Sequence, residues 1–294
     1  HLSIRRQRQM CIRDRQYLKT FVGDNMSDKL LRRKDTDAIT TLTLNSPNSL
    51  NALSNDMLDK LQAELDSLKR NPNIRVIIIN GSGKAFCAGH DLKEMTLSRQ
   101  DKDGGKAAFK ALFDKCSKMM QTIPKLPQPV IAQVHGIATA AGCQLVASCD
   151  LAVADEDTKF GVNGVNIGLF CSTPMVALSR NIPRKKVFEM LTTGEFIDSK
   201  TAFTLGLINK ISSASQLNTE TLKLAQKIES KLGSAVKIGK EAFYKQIAMP
   251  LDQAYQYTGD VMVENMLHRD TKEGVSAFIA VSYTHLTLPT NREV

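Results

Sequence analysis

The sequence predicts an α/β domain whose short buried strands alternate with helices, followed by a helical C-terminal region. Three observations carry that prediction. A strand, a turn, a helix and a second strand follow one another through residues 38–79. The same kinds of element return through residues 130–154, now around a turn of small residues. From about residue 218 to residue 279 the chain reads as almost wholly helical, broken at Gly233 and Pro250. A helix between two buried strands forces a crossover connection, and the repeated unit builds a layered domain.

Residues 38–44 alternate and are rich in β-branched side chains, which marks the first strand. Residues 45–48, Asn-Ser-Pro-Asn, form a turn. Ser54 is placed to cap a helix whose apolar face is Met57, Leu58, Leu61, Leu65 and Leu68, at spacings of three and four. Asn71, Pro72 and Asn73 stop it. Residues 76–79, Val-Ile-Ile-Ile, are a buried strand. Residues 98–106 are charged and contain glycine, so they read as a loop, and residues 107–123 as a helix. Pro124, Pro127 and Pro129 fence the strand at 129–134. A helix starting at Cys143 ends near Asp150, and residues 151–154 are a strand again. Residues 160–168 are rich in Gly and Asn and read as irregular. Residues 183–191 and 199–205 are short helices, and residues 206–209 lead into Lys210 and Ile211.

An apolar fraction of 42% is ordinary for a globular protein, and no apolar run approaches the length of a membrane span. The length allows one large domain or two small ones. The six cysteines are scattered with no CxxC pair, which points to reduced, buried thiols and away from a disulfide scaffold or a zinc site. No metal site is expected. Trp is absent and aromatics are few, so the chain offers no stacking platform for single-stranded nucleic acid. Of the net charge of +9, residues 1–15 supply +4, leaving +5 spread along the rest. No Arg/Lys stripe interleaved with aromatics remains there, which argues against a nucleic-acid partner. The mild basic excess fits an anionic ligand.

The chemistry is concentrated in residues 135–150, HGIATAAGCQLVASCD. Gly136, Ala138, Ala140, Ala141 and Gly142 let another group approach the backbone closely. A strand, a small-residue turn and a helix start place unpaired N–H groups at a helix N-terminus, where negative charge is favoured. Such a site cradles a phosphate or holds the oxygen of a developing oxyanion. A turn that only lets helix and sheet pack would read the same way. A second stretch, residues 84–95, KAFCAGHDLKEM, follows the strand at 76–79 and the turn Asn80-Gly-Ser-Gly83.

Together the two stretches resemble the paired oxyanion-hole loops of the crotonase (enoyl-CoA hydratase/isomerase) superfamily. The resemblance covers about residues 35–280. It implies an α/β fold of the ClpP/crotonase type, a spiral of ββα turns with a C-terminal helical trimerisation region. Within the family, ATAAGCQLVASCDLAVA and GVNIGLFCSTPMVALSR resemble a mitochondrial member, which implies a mitochondrial location and a part in fatty-acid metabolism. A homotrimer or hexamer is the implied assembly. The implied ligand is an acyl-CoA or enoyl-CoA thioester, with coenzyme A as part of the substrate or ligand and no separate cofactor.

By the same resemblance the thioester carbonyl is held by the backbone N–H groups of His90 and Ala141. Losing one such donor can cost about 3 kcal/mol of transition-state stabilisation. Ala88, His90, Asp91, Leu92 and Lys93 are the implied coenzyme A contacts. Asp91 is read as bracing the loop, and Lys93 either approaches the phosphates or is simply solvated. Family hydratases hold a water between two carboxylates. Here Gln144 and Gly164 stand at those positions. An amide positions a water but does not take its proton near neutral pH, and glycine has no side chain to offer. Ordinary hydration is therefore expected to be very weak, and restoring both carboxylates to raise it. The alternative is a catalytically silent acyl-CoA-binding protein with a regulatory part in lipid metabolism.

Other groups have humbler readings. The His90 side chain is read as turned outward, although it is the titrating side chain of the two loops. Cys143 and Cys171 are read as buried small hydrophobes with no paired base. Asn163 and Asn166 either bond an acyl group or form turns, and His135 supports its loop.

The expected divisions are an end string at 1–15, a segment at 16–34, the spiral core at 35–217, the helical region at 218–280 and a second end string at 281–294. The two strings look like translated adapter sequence joined to a transcript. Deleting both is expected to leave the melting temperature unchanged.

Overall fold

Successive residues of a strand point to opposite faces, so a fully apolar strand must be covered on both sides. Val76, Ile77, Ile78 and Ile79 are each at most 1% exposed. Ile77 and Ile79 join the larger core, whereas Val76 and Ile78 join a second cluster with Ile39, Ile131, Val153, Leu217 and Ala225. These positions come from a computed structural model that describes residues 29–279. Both end strings lie outside the described residues.

The sheet has six strands, in the order β1 (Leu31–Thr36), β2 (Ile39–Leu44), β3 (Val76–Gly81), β4 (Val130–Val134), β6 (Leu151–Asp155) and β9 (Lys210–Ser212). β1 and β2 form an antiparallel hairpin, and every other neighbour pair is parallel. The register sets Ile39 beside Val76 and Ile77 beside Val130, which lines up the apolar rows on each face. β1 starts at Leu31, ahead of the boundary expected at residue 35. Its sequence, LRRKDT, lacks apolar alternation because it is an edge strand held by backbone pairing to β2.

Helix α1 (Asn55–Lys69) has the expected cap, with Met57 N–H donating to Ser54 Oγ at 3.2 Å. All five residues of its predicted apolar face are fully buried. Each such side chain contributes roughly 1.5–3 kcal/mol relative to exposure, so this stripe is a main anchor of the larger core. α2 (Leu92–Ser98) follows the first loop and α3 (Lys106–Thr122) runs back towards β4.

A smaller sheet of β5 (Ile137–Thr139), β7 (Lys159–Gly161) and β8 (Ile197–Asp198) lies beyond α4 (Ala141–Ser148). The small-residue turn expected at 136–142 therefore contains a short strand. Gly136, at φ +62°, turns the chain, and Ile137–Thr139 then pairs with β7. α4 starts two residues before the expected Cys143 because no Ser, Thr, Asp or Asn marks its start. The irregular stretch at 160–168 resolves into the end of β7 and a 3₁₀ turn at Asn163–Ile167.

The remaining helices are α5 (Pro174–Leu178), α6 (Arg184–Thr193), α7 (Ser199–Thr204), α8 (Leu217–Glu229), α9 (Gly233–Gln246), α10 (Leu251–Leu267) and α11 (Arg269–Ile279). α8 covers the second sheet face through Leu217 and Ala225. α9 docks through one charged tie. Lys240 Nζ donates to the carbonyls of Ile123 and Gln128, at 3.0 and 2.8 Å, and to Asp150 Oδ2 at 2.6 Å. Asp150 also accepts from Val130 N–H and from Tyr244 OH. Burial pushes the Lys240 ammonium below its ordinary range, and the Asp150 carboxylate opposes that shift. Among the described residues no helix is long and apolar enough to cross a membrane.

Candidate functional site

Two loops leave the same end of the parallel sheet, one after β3 and one after β4. The first is held on both sides. Asn51, fully buried, donates its amide to the carbonyls of Ser82 and Ala85, both at 2.8 Å, and accepts from Ser46 N–H. Ala88 N–H bonds Leu50 C=O, and Leu53 N–H bonds Gly89 C=O at 2.7 Å. On the other side Phe86 and Cys87 N–H bond the carbonyls of His135 and Ile137, and Thr139 N–H returns to Cys87 C=O. His135 Nε2 lies 2.9 Å from Gly83 C=O and so donates there, the supporting part expected of it.

The loops meet where only small residues fit. A Cβ on Gly142 would run into the carbonyl of Cys87. Gly89, at φ +93°, sits so close to the second loop that an added Cβ would be 3.3 Å from Ala141 N and 2.9 Å from Ala140 Cβ. Ala140 has φ 49° and ψ −119°, a backbone conformation that disfavours a side chain. Its N–H is tied to Gly161 C=O at 2.9 Å, and its C=O accepts from Gln144 N–H. This puts Ala141 in the first turn of α4, where an N–H has no intrahelical acceptor. Among the described residues neither the His90 nor the Ala141 N–H has a backbone acceptor.

The strain at Ala140 is testable. Glycine there should recover roughly 1–3 kcal/mol of backbone strain and lose about 0.4–1 kcal/mol to the freer unfolded chain. Ala140→Gly is therefore expected to gain about 1 kcal/mol, read as a higher melting temperature; a lower one would show that Ala140 is unstrained.

Asp91 caps α2, its Oδ1 accepting from Lys93 N–H at 2.8 Å and from Glu94 N–H at 3.3 Å, which is the bracing role read from sequence. Glu94, which the sequence did not single out, accepts from Asn55 N–H and ties α2 to the start of α1. Leu92 and Lys93 are exposed on the outer side of the loop, with Ala88 and His90 half-buried.

The His90 side chain does not turn outward. Its ring packs edge-on against Phe113 with centroids 5.6 Å apart, and Nδ1 lies 3.3 Å from Leu53 C=O. A carbonyl only accepts, so Nδ1 carries the proton and Nε2 is the lone-pair nitrogen. Nε2 is buried without a partner, and burial lowers the imidazole pKa, so the neutral ring is favoured. The sequence pattern could not show this, because Phe113 comes from α3.

Gln144 is 5% exposed and its Oε1 is buried with no hydrogen-bond partner. A helical side chain lies over the turn before it, which sets Gln144 beside Ala140 and Ala141. Gly164 is not an empty slot. A Cβ there would run into Leu169 C=O and stand 2.9 Å from Cys171 Sγ. Restoring a carboxylate at 164, as the sequence suggested, therefore needs the backbone of 164–171 to open. Asn163 begins the 3₁₀ turn and accepts from Thr139 Oγ1 at 2.6 Å, whereas Asn166 is exposed beside Gly194. Cys143 and Cys171 are buried, and burial pushes the Cys143 thiol up to about 12 and raises that of Cys171. Both are poor nucleophiles in that state. Among the described residues no three His, Cys, Asp or Glu side chains are grouped to hold a metal ion.

Comparison with known proteins agrees with this fold. The family model described as enoyl-CoA hydratase/isomerase matches residues 34–283. Enoyl-CoA hydratase domain-containing protein 3, mitochondrial, of Xenopus laevis is 47% identical over 241 residues, covering 82% of this chain and 80% of the relative. Its human counterpart is 45% identical, covering 83% and 78%. The crystal structure of that human protein superposes with a TM-score of 0.82 at 43% identity, covering 86% of this chain and 98% of the other. A crystal structure of an enoyl-CoA hydratase from Mycobacterium smegmatis gives a TM-score of 0.83 at 48% identity, covering 86% and 97%. The chain belongs to the enoyl-CoA hydratase/isomerase family of the crotonase superfamily.

Proposed function

We propose that the protein binds an acyl-CoA or enoyl-CoA thioester, its carbonyl oxygen held between the N–H groups of His90 and Ala141, within mitochondrial fatty-acid metabolism. The observation that carries this reading is the close approach of Gly89 to Ala141 N, which brings two amides without backbone acceptors to the place where the loops meet. Two fixed donors favour an enolate oxygen over a neutral carbonyl. The relatives' names are mitochondrial, and we assign that location here. Self-association through α9–α11, as a homotrimer or hexamer, is supported by their exposed apolar side chains, among them Phe243, Leu251, Met262, Val263 and Leu267.

A binding protein without turnover is the second reading. It is favoured by the closed backbone at Gly164 and the amide at Gln144. Carbonyl recognition, common to both readings, is tested by comparing butyryl-CoA with its thioether analogue, S-butyl-CoA. Each hydrogen bond contributes about 0.5–1.5 kcal/mol net. The thioether should therefore bind roughly 5- to 150-fold more weakly. Equal affinity would remove the carbonyl site.

A further inference from the structure

A cleft of about 750 Å³ opens where α1, α3 and α9 meet the segment that leads into β4. Four lysines line it, Lys69, Lys125, Lys237 and Lys245, with Glu241 as the one carboxylate among its lining residues. They come from three separated parts of the chain, so the fold and not a run of charge brings them together. Within the described residues none of the four is in an ion pair, whereas Lys110, Lys115, Lys186, Lys210, Lys223 and Lys240 all are. Lys245 lies over the ring of Tyr257, 4.6 Å from its centroid, a contact that leaves its charge without a carboxylate partner. Unpaired like charges gathered in a concave site raise the local potential and attract anions.

Apart from Gln121, the rest of the lining is largely apolar. Pro124, Leu126, Pro127 and Tyr244 contribute to it, and Tyr244 is fixed by the bond from its hydroxyl to Asp150 Oδ1 at 2.7 Å. A cavity of this size with an apolar wall and a few convergent polar groups suits a small ligand. The cleft lies at the entry to β4, and the two loops leave the sheet at the far end of β3 and β4. The five residues of β4 separate them by about 15 Å.

We propose that this cleft binds a nucleoside di- or polyphosphate, its phosphates among the four lysines and its base against Tyr244 and the prolines. The site is separate from the thioester site and does not rest on it.

The probe is uridine 5′-diphosphate, titrated calorimetrically into the full chain at low salt. Saturable binding is expected, weakening as ionic strength rises. Lys125→Glu combined with Lys237→Glu should weaken it roughly tenfold or more, since each change sets like charge against the phosphates. Both lysines are exposed, so folding should be unaffected, which an unchanged melting temperature checks. Lys185→Glu with Lys200→Glu, also exposed but outside the cleft, should leave binding unchanged. The proposal is overturned if the parent does not bind the probe or if both variant pairs weaken it equally. These outcomes are independent of the thioether comparison, so either idea can fail alone.

Discussion

Lys240→Met is expected to lower the folding stability by about 3–5 kcal/mol, the usual cost of removing one partner from a buried ion pair. The Lys240 and Asp150 side chains are 6% and 12% exposed. Methionine fills much of the same space but leaves Asp150 facing only the Val130 N–H and the Tyr244 hydroxyl, with the carbonyls of Ile123 and Gln128 losing their shared donor. The loss should reach the site as well. Asp150 follows α4, which begins at Ala141, and binds the first residue of β4, which leads to His135. One carboxylate thus fixes helix and strand on which the second loop is built. Urea denaturation measures the effect. Adding Asp150→Asn should restore part of the loss, because the stranded charge is then gone, and the two changes should depart from additivity by about 0.5–3 kcal/mol. A loss under about 1 kcal/mol in Lys240→Met would show that the pair is not a structural tie.

Hydration of crotonyl-CoA is expected to run far below roughly 10 s⁻¹, a typical enzyme rate. A general acid or base contributes roughly 10²–10⁴-fold, and Gln144 and Gly164 supply neither. Gln144→Glu should raise the rate, since residue 144 lies one turn into the helix that begins at Ala141 and has a buried, unpartnered Oε1. The gain should stay near the lower end of that range, because a single carboxylate does half of a two-group task. Gly164→Glu should give no gain and should destabilise, its Cβ meeting Leu169 C=O. Loss of enoyl absorbance follows the reaction. Ordinary turnover by the unaltered chain would move the proton to another group. His90 would be the first to examine, because its Nε2 is an unprotonated, unpartnered nitrogen in the first loop. Its replacement by Gln should then abolish turnover without loss of thioester binding.

Periodicity and composition were enough for much of the architecture. The α1 face and its Ser54 cap, the strand at 76–79 and the helical tail broken at Gly233 and Pro250 all follow from local preferences that the packed protein keeps. The motifs KAFCAGHDLKEM and HGIATAAGCQLVASCD were likewise sufficient for the family, because two loops of small residues at that separation are a specific pattern. By resemblance they also pointed to Gln144 and Gly164 as the positions where family hydratases are expected to carry carboxylates.

Tertiary structure decided what local sequence does not encode. β1 and β5 exist because a neighbouring strand pairs their backbones, and neither has the alternation of a half-buried strand. His90 turns inward because Phe113, on α3, and Leu53, before α1, supply the faces it packs on. Gly164 looked like a vacant side-chain position, yet Leu169 C=O and Cys171 occupy the space a side chain would need. Lys240 is indistinguishable in sequence from its solvated neighbours, and burial against Asp150 alone makes it structural. In each case the deciding atoms lie on another element, and only the packed chain brings them within contact distance.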